Sequence, residues 1–386
     1  MYNIQTLNKI AACGTDIFNK DIYAVADSFE NPDAIMVRSA AMHDMAFGSN
    51  LLAIARAGAG VNNIPVDKCA EMGICVFNTP GANANAVKEL VIAGLLLASR
   101  NIAGAMDWVK TLKGDENAPK AVEKGKSQFV GPEIQGKTLG IIGLGAIGCL
   151  VANAALAIGM KVVGVDPFMS VNAALRLNPA VKVVNSNDAV YAEADYISIH
   201  VPCNADTKGF VNAEAIAKMK DGVRILNFAR GELVNDADII AAIENKKVAR
   251  YVTDFPNANT IGVDGIVAIP HLGASTPESE DNCAVMAANE LIDYIENGNI
   301  TNSVNLPNAS MNATGKKVCI IHKNVPSIIS QITAIFGNNG VNIENMLNKS
   351  KKDYAYTMID AQCDAVSDSV ISEINAVDGV IKVRVI

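Results

Sequence analysis

Three glycines in a fixed spacing constrain the fold of this chain more than any other feature of its sequence. The segment Gly143-Leu144-Gly145-Ala146-Ile147-Gly148 follows a predicted buried strand, Thr138 to Ile142, and opens a predicted helix, Ala146 to Ile158. In such a turn the first glycine allows a tight bend, the second lets a pyrophosphate approach, and the third lets the helix pack against the strand. The sequence predicts a dinucleotide-binding α/β domain. Its predicted cofactor contacts are Gly143, Gly145, Ala146, Ile147 and Gly148.

An acidic residue after the next strand narrows the choice of cofactor. Asp166 follows the predicted strand Lys161 to Val165, where its carboxylate can accept hydrogen bonds from both ribose hydroxyls of NAD. The residues that follow, Pro167 to Ser170, provide no arginine for the 2′-phosphate of NADP. These features favour NAD.

Short apolar strands alternate with helices along most of the chain. This alternation is typical of doubly wound parallel sheets, and 386 residues are enough for roughly two or three domains. A polar, lysine-rich stretch from Lys110 to Lys137 interrupts the pattern and is predicted to be irregular. Thr301 to Thr314, rich in Asn, Ser and Pro, is typical of a linker, and beyond it the order β-α-β-β-α-β predicts a ferredoxin-like module over 316–386. Strands of the parallel sheets are predicted at 34–37, 51–56, 74–77, 138–142, 161–165, 196–200, 224–227, 250–253 and 266–269.

The composition argues against several classes of function. A net charge of −8 provides no field that would attract nucleic acid or an anionic membrane surface. No apolar run reaches the ~20 residues that a membrane span needs. The eight cysteines form no Cys-x-x-Cys pair, and with only four histidines the sequence indicates no metal site. We therefore expect a cytoplasmic protein with reduced cysteines and a small-molecule substrate.

Two motifs just past predicted strands resemble those of a known enzyme family. Asn227-Phe228-Ala229-Arg230-Gly231 and Pro270-His271-Leu272-Gly273-Ala274 match the Asn-x-x-Arg-Gly and Pro-His-x-Gly motifs of the D-2-hydroxyacid dehydrogenases in order and spacing. Upstream, Gly60 to Ile64 and Asn78 to Glu89 resemble the substrate-domain segments of that family. On these residues the chain is identified as a member, and the terminal module resembles an ACT domain.

The resemblance implies an α/β protein with two doubly wound parallel-sheet domains and a ferredoxin-like ACT domain. A flavodoxin-like substrate-binding domain would comprise residues 1–95 and 287–306, and a Rossmann NAD domain residues 96–286. A linker, 307–315, would lead to the ACT regulatory domain, 316–386. The resemblance also implies a homodimer or homotetramer. Further residues implied at the cofactor are Phe228, Ala229, Leu272 and Gly273, with Asn62 at the substrate.

Chemistry gives the two motifs distinct roles. The planar guanidinium of Arg230 can bind a substrate carboxylate bidentately and hold the carbonyl oxygen, which orients carbon 2 toward the nicotinamide. The imidazole of His271 can exchange the proton of the 2-hydroxyl, because its ordinary pKa of ~6.5 suits acid–base work near neutrality.

The chain departs from the family at the carboxylate that partners this histidine. The family has a Glu there, and this chain has Ala258 or Asn259 depending on where a one-residue gap is placed. Asp254 is the carboxylate nearest in sequence, and three interpretations stay open. It contacts the nicotinamide carboxamide, it partners His271, or it does neither. Its closeness to the preceding strand favours the cofactor role, with His271 then working with an amide such as that of Asn259 or with a carboxylate from elsewhere.

The end of the strand Ala34 to Val37 bears on the substrate. Arg38-Ser39 resembles the family's Arg-Ser motif, whose Arg reaches the phosphate in members that act on D-3-phosphoglycerate. The competing interpretation is an ordinary salt-bridged arginine. Some relatives have a second Arg where this chain has Ala40, so Lys124 or Lys126 is a candidate for the rest of the phosphate site.

The resemblance as a whole implies NAD-dependent oxidation of D-3-phosphoglycerate to 3-phosphohydroxypyruvate. Two alternatives remain. One is a reductase of glyoxylate or hydroxypyruvate from the same family, whose usual members lack an ACT domain. The other is an NAD sensor or corepressor that binds the cofactor without turnover.

The terminal module carries a candidate effector site. His322-Lys323-Asn324-Val325-Pro326 and Val341-Asn342-Ile343 resemble the ligand-binding turn of ACT domains, where Ser327 stands in place of the usual Gly. The resemblance implies that His322, Asn324 and Asn342 bind L-serine or another amino acid, since amides both donate and accept hydrogen bonds. A purely structural dimerisation module is the alternative.

Overall fold

The computed structural model describes all residues, 1–386, and begins with a five-stranded parallel sheet. Its order is β2-β1-β3-β4-β5, which is the flavodoxin-like order predicted by the resemblance. The central strands are apolar and buried on both faces, as a parallel sheet covered by helices requires. The strands are β1 (Tyr2–Leu7), β2 (Tyr23–Ala26), β3 (Ala34–Val37), β4 (Ala53–Arg56) and β5 (Cys75–Asn78).

A second parallel sheet contains seven strands in the order β12-β11-β10-β9-β6-β7-β8. The chain runs outward from β6 to one edge and then returns to the other side of β6, so the strand order reverses between β6 and β9. Ligands of doubly wound sheets bind at the carboxyl ends of the strands beside such a reversal. The strands are β6 (Thr138–Ile142), β7 (Lys161–Val165), β8 (Lys182–Val184), β9 (Tyr196–Ile199), β10 (Val223–Asn227), β11 (Val248–Thr253) and β12 (Ile266–Ala268).

The terminal module is a four-stranded antiparallel sheet in the order β14-β15-β13-β16. This is the predicted ferredoxin-like arrangement. One face packs under the module's two helices. The other face joins the core of the five-stranded sheet, because Ile321 and Tyr356 belong to the same buried cluster as Phe77. The strands are β13 (Lys316–Lys323), β14 (Asn342–Lys351), β15 (Tyr354–Gln362) and β16 (Val380–Val385).

The helices complete the layers. They are α1 (Ala12–Thr15), α2 (Val66–Glu71), α3 (Ala84–Ser99), α4 (Ile102–Lys110), α5 (Ala118–Gly125), α6 (Ala146–Ala157), α7 (Val171–Arg176), α8 (Asn187–Glu193), α9 (Ala213–Ala217), α10 (Asp236–Glu244), α11 (Pro277–Asn297), α12 (Ile328–Asn338) and α13 (Asp368–Asn375). By contacts the chain divides into two compact units, residues 1–83 with 277–386 and residues 84–276. The boundaries predicted between the substrate-binding and NAD domains, at 95/96 and 286/287, fall within α3 and α11, respectively. No helix taken alone has the length and apolar character of a membrane span, and α3 with α4 reaches them only as a pair bent by 70°.

The stretch from Lys110 to Lys137, predicted to be irregular, contains α5 and a 3-10 turn, Lys126–Phe129. Its polar composition hides the helix, because an exposed helix needs few apolar residues. A proline at the start of α5 is the local signal, since its missing N–H costs nothing in the first turn. The prediction of irregular structure was therefore wrong for residues 118–125.

Candidate active site

The glycine-rich turn follows β6, and the structure explains two of its glycines directly. Gly143 has a φ of +95°, and a Cβ there would lie 2.5 Å from the backbone oxygen of His200. A Cβ on Gly148 would lie 1.9 Å from the backbone oxygen of Gly143. Gly145 differs, because the space beside its Cα is open within 4 Å. The open side of Gly145 at the start of α6 fits the close approach of a pyrophosphate.

The half-buried carboxylate of Asp166 fastens this turn to the end of β7. Its Oδ2 accepts a hydrogen bond from the Leu144 amide at 2.9 Å, and its Oδ1 accepts one from the Phe168 amide at 2.8 Å. Each carboxylate oxygen retains a further lone pair. The predicted contacts with ribose hydroxyls would use these outer lone pairs, in addition to the structural role that the sequence did not reveal.

Replacing Asp166 by alanine is expected to raise the KM for NAD roughly 10–100-fold and to relax discrimination against NADP. The carboxylate would accept from the ribose and repel a 2′-phosphate. Initial rates at varied NAD and NADP measure both effects. The variant Asp166→Asn keeps an acceptor for the turn but removes the charge, so it should relax discrimination with a smaller loss of NAD affinity. An unchanged NAD/NADP ratio in both variants would assign the preference to another residue.

Arg230 is presented by a turn that Asn227 closes. The buried Asn227 side chain donates to the Arg230 backbone oxygen at 2.8 Å, and its Oδ1 accepts from the Ala229 amide at 3.2 Å. Arg230 itself is exposed and extended, with a φ of −153°. The spacing Asn-x-x-Arg thus has a local physical reason: the amide fixes the backbone from which the guanidinium projects.

Phe255 brings the two predicted catalytic side chains together. Its ring centroid lies 4.5 Å from that of His271 and 5.9 Å from the guanidinium carbon of Arg230. The aromatic ring therefore supports a cation and an acid–base group at the carboxyl edge of the second sheet. Sequence reasoning did not select Phe255. The available signal was an aromatic residue directly after Asp254, but nothing local showed what it contacts.

Asp254 is fully buried at the end of β11 and has one oxygen without a partner. Its Oδ2 accepts from the Gly273 amide at 3.1 Å, whereas Oδ1 makes no hydrogen bond, so this carboxylate is not bonded to His271. Burial raises the pKa of Asp254 above its ordinary range. A buried oxygen that accepts no other hydrogen bond is the partner that the carboxamide N–H of a nicotinamide would need.

The side chain at the position of the family Glu is held elsewhere. Asn259 donates to Asp236 at 3.1 Å, and Asn257 of the same loop donates to the same oxygen at 3.0 Å. These amides anchor the loop after β11 to the start of α10. In this conformation Asn259 is therefore occupied as a loop anchor.

The remaining predicted cofactor residues differ in exposure. Phe228 lies in the core, and its ring fills the space where a Cβ on Gly94 would be, 2.7 Å from Phe228 Cε2. Leu272 is 45% exposed, while Gly273 is buried against Asp254. Ala229 is half-buried beside the Asn227 amide. Leu272 and Ala229 are thus accessible to a ligand, whereas Phe228 mainly supports the sheet.

In the unit formed by residues 1–83 and 277–386, Arg38 forms an ion pair with Glu280 at 2.7 Å. Its backbone oxygen accepts from Arg56 Nε at 3.0 Å. Arg56 ends β4 in register with the residue before Arg38, so two arginines meet at the carboxyl edge of the first sheet. Sequence reasoning missed Arg56, although the pairing of adjacent parallel strands could have revealed it. Asn62 is exposed, and its backbone oxygen is hydrogen-bonded to His43 at 3.0 Å.

The lysines named as candidates for the phosphate site lie on another element. Lys124 is exposed in the last turn of α5, and Lys126 starts the following 3-10 turn, where it pairs with Glu123 at 2.5 Å. Both belong to residues 84–276. The ion pair of Lys126 is exposed and of little energetic weight.

The predicted effector residues of the terminal module are engaged within the module. His322 is buried, with Nδ1 bonded to the Lys323 backbone oxygen at 2.7 Å and Nε2 to Thr357 at 2.9 Å. Asn324 donates to the Lys352 backbone oxygen, and Asn342 donates to Gln362. An effector that used His322 would have to replace one of these bonds.

Ser327, at the position of the usual Gly of ACT domains, has a φ of +69°. This left-handed conformation costs a serine more than a glycine. The backbone geometry associated with glycine is therefore kept despite the substitution.

Two family models match the chain. The model for the NAD binding domain of D-isomer specific 2-hydroxyacid dehydrogenases matches residues 92–273, and the model for the AHAS small subunit-like ACT domain matches residues 318–382. The chain therefore carries an NAD-binding domain of this type and an ACT-like domain.

Curated relatives agree with these matches. A D-3-phosphoglycerate dehydrogenase from Bacillus subtilis is 35% identical over 76% of this chain and 55% of its own length. One from Escherichia coli is 32% identical over 85% of this chain and 79% of its own. A hydroxypyruvate reductase from Thermotoga maritima is 38% identical over 68% of this chain and 83% of its own. The chain spans about half the length of the first listed curated relatives it matches.

Solved structures show the same fold. An NAD⁺-bound 3-phosphoglycerate dehydrogenase from Entamoeba histolytica superposes with a TM-score of 0.61 at 26% identity, covering 80% of this chain and 99% of that one. A glyoxylate reductase structure superposes with a TM-score of 0.64 at 25% identity, covering 78% and 98%. The architecture predicted from the sequence is thus confirmed.

Proposed function

The chain belongs to the D-isomer specific 2-hydroxyacid dehydrogenase family, and from this premise we propose that it oxidises D-3-phosphoglycerate to 3-phosphohydroxypyruvate with NAD. One observation carries the proposal. Arg230 and His271 contact the same aromatic ring at the carboxyl edge of the nucleotide-binding sheet. A carboxylate-binding fork and an acid–base group therefore lie at the carboxyl edge of the same sheet whose strand β6 leads into the glycine-rich turn.

The roles follow from the side chains. Arg230 binds the substrate carboxylate through two parallel N–H donors and polarises the oxygen on carbon 2. His271 takes the proton of the 2-hydroxyl as the carbonyl forms. Bound NAD would supply the acceptor for the hydride from carbon 2. The products are the 2-oxo acid, NADH and one proton, which leaves through His271.

Asp254 is assigned to the cofactor rather than to His271. Its unpartnered Oδ1 would accept from the carboxamide N–H of the nicotinamide, and the bond from Gly273 holds the carboxylate in place. In this proposal His271 acts without a directly bonded carboxylate from β11.

Replacing Asp254 by asparagine is expected to raise the KM for NAD about tenfold and to leave the pH profile of kcat/KM in place. Asparagine keeps an oxygen that accepts from the Gly273 amide. At the position of Oδ1 it places an NH2 group, which cannot accept a hydrogen bond from the nicotinamide carboxamide. Asn259→Ala is the matched variant in the same loop and should change neither quantity. A pH profile displaced only by Asp254→Asn would instead make Asp254 the partner of His271.

The same variant has a stability signature. Because burial raises the pKa of Asp254, the folded protein holds this proton more tightly than the unfolded chain does. Its stabilising contribution is therefore complete in acid and is lost as the pH rises through the raised pKa. The melting temperature of Asp254→Asn relative to wild type should increase from acidic to neutral pH.

Arg38 is proposed to bind the substrate phosphate, with Arg56 as its neighbour. Glu280 occupies Arg38 in the structure, and a phosphate dianion would replace this carboxylate as its partner. Lys124 and Lys126 become secondary candidates, because Arg56 lies on the strand next to that of Arg38.

Arg38→Ala is expected to raise the KM for D-3-phosphoglycerate about 10–100-fold and to change the KM for D-glycerate little, since the latter has no phosphate. Steady-state rates with both substrates measure this. Glu280→Gln keeps Arg38 and removes its competitor, so the KM for phosphoglycerate should stay or fall. Equal effects of Arg38→Ala on both substrates would refute the phosphate assignment.

A reductase of hydroxypyruvate is the second candidate, and the identity to the Thermotoga maritima relative supports it. Such a substrate needs no phosphate site. The arginine pair at β3 and β4 and the ACT-like module support the phosphoglycerate reaction instead. A cofactor-binding sensor without turnover is disfavoured, because the chain retains both Arg230 and His271 and both side chains lie beside the Phe255 ring.

The proposal extends to an effector, an oligomeric state and a cellular location. An amino acid such as L-serine is proposed as an effector of the ACT domain, at the turns of Asn324 and Asn342. A homodimer or homotetramer is proposed from the family relationship. All eight cysteines are free, which supports a reducing, cytoplasmic setting.

A further inference from the structure

A cleft of about 510 Å³, lined mostly by polar residues, lies where β14 of the ACT-like module meets the end of β5 and the loop after α11. It belongs to the unit of residues 1–83 and 277–386, and its lining includes none of the predicted effector residues His322, Asn324 and Asn342. The lining includes two lysines, Lys349 and Lys351, and no acidic residue. The lining is therefore positively charged, in a chain whose net charge is −8.

The cleft has rigid walls. Tyr356 donates to the Gly298 backbone oxygen at 2.7 Å, and Arg384 donates to the Ile295 backbone oxygen at 2.8 Å. These bonds and the shared apolar core fix the module against the end of α11 and the residue that follows it. Lys351 adds a bond to the Ser303 backbone oxygen at 2.9 Å. The cleft is therefore a built feature and not a gap between independent parts.

The two ammonium groups are spaced for one ligand with two charges. Lys349 and Lys351 are two positions apart on a strand, so they project from the same face with Cα atoms about 7 Å apart. Lys349 is exposed and makes no ion pair, while Lys351 keeps two donors after its bond to Ser303. The amides of Asn78, Asn302 and Asn308 add donors and acceptors.

A nearby carboxyl does not cancel this charge. Glu290 accepts from Asn302 at 2.8 Å behind the cleft, and burial raises the pKa of Glu290 to about 8. Near neutral pH this group is mostly protonated. The cleft therefore keeps a net positive charge from Lys349 and Lys351.

We propose that this cleft binds a small dicarboxylate, with one carboxylate at Lys349 and the other at Lys351. The ligand would bridge the ACT-like module and the loop after α11. The lining amides would then bind the remaining carboxylate oxygens, so both ends of the ligand are recognised.

Asn78 links the cleft to a segment predicted to bind substrate. It lines the cleft, and its Nδ2 donates to the Ala59 backbone oxygen at 2.5 Å. Ala59 directly precedes Gly60-Val61-Asn62. A ligand that draws on Asn78 therefore changes the KM for phosphoglycerate, a consequence that rests on the proposed function.

The test compares the full-length wild type with Lys349→Gln and the control Lys352→Gln. Lys352 is exposed, carries the same charge and lies outside the cleft. Isothermal titration with succinate, inorganic phosphate and acetate is done at constant ionic strength, so that general screening is equal. Succinate is expected to bind wild type and Lys352→Gln equally, and Lys349→Gln about tenfold more weakly.

Several results would overturn the proposal. The proposal fails if succinate does not bind, or if all three proteins bind succinate equally. It also fails if acetate binds as tightly as succinate, or if phosphate binds and succinate does not. In the kinetic arm, succinate should shift the KM for phosphoglycerate in wild type but not in Lys349→Gln. An unchanged KM in wild type would refute the link through Asn78. If phosphoglycerate is not turned over, the proposed function fails while the titration still decides the site.

Discussion

Replacing Arg230 by lysine is expected to lower kcat/KM for D-3-phosphoglycerate by about three orders of magnitude while the Kd for NADH stays nearly unchanged. Lysine keeps the positive charge but cannot offer two parallel N–H donors to a carboxylate. It also removes the planar guanidinium, whose central carbon lies 5.9 Å from the centroid of the Phe255 ring. The loss should fall on both kcat and KM, because the fork binds the substrate and also holds the developing carbonyl.

The control is the same substitution at Arg250, a half-buried residue on β11 outside the proposed site. Arg250→Lys should leave kcat/KM and NADH binding unchanged. Stopped assays for turnover and fluorescence titration for NADH measure the two quantities separately. If Arg230→Lys weakened NADH binding as much as it lowered kcat/KM, Arg230 would be a cofactor residue and the assignment would be wrong.

Alanine at Gly148 is expected to destabilise the protein by about 3 kcal/mol or more and to abolish NAD binding at ordinary concentrations. The new Cβ would stand 1.9 Å from the backbone oxygen of Gly143, so the turn and α6 must separate. Because the first glycine has a φ of +95° and touches the His200 backbone, the turn cannot relax in that direction. Chemical denaturation and NADH titration measure both losses.

Gly145→Ala provides the matched comparison within the same motif. Its φ of −78° is accessible to alanine, and no atom within 4 Å opposes a Cβ. Folding stability should therefore remain close to that of wild type, while NAD affinity falls because the methyl group meets the pyrophosphate. If both variants retained wild-type NAD affinity, the turn would not be the cofactor site.

The cofactor half of the site could be predicted because its signals are local. The strand, the glycine turn and Asp166 lie within one β-α-β unit, where hydrophobic periodicity and glycine positions have direct structural meanings. Even there the sequence could not show that Asp166 holds the Leu144 amide. Such a bond depends on how two adjacent strand ends meet.

The contacts that the sequence did not reveal join distant parts of the chain. Phe255 lies between Arg230 and His271 only because β10, β11 and β12 are neighbours in the sheet. The pairing of Arg38 with Glu280 likewise depends on where α11 returns to the first sheet. Residue type and spacing predict which groups can do chemistry, whereas strand order decides which of them meet.

The initial rate of NADH formation by wild type with NAD and D-3-phosphoglycerate tests the central proposal most directly, with hydroxypyruvate and glyoxylate plus NADH measured in parallel. We expect NADH formation from D-3-phosphoglycerate, with a kcat/KM well above that for D-glycerate and about three orders of magnitude lower in Arg230→Lys. Consumption of NADH with hydroxypyruvate or glyoxylate, without any turnover of D-3-phosphoglycerate, would contradict it.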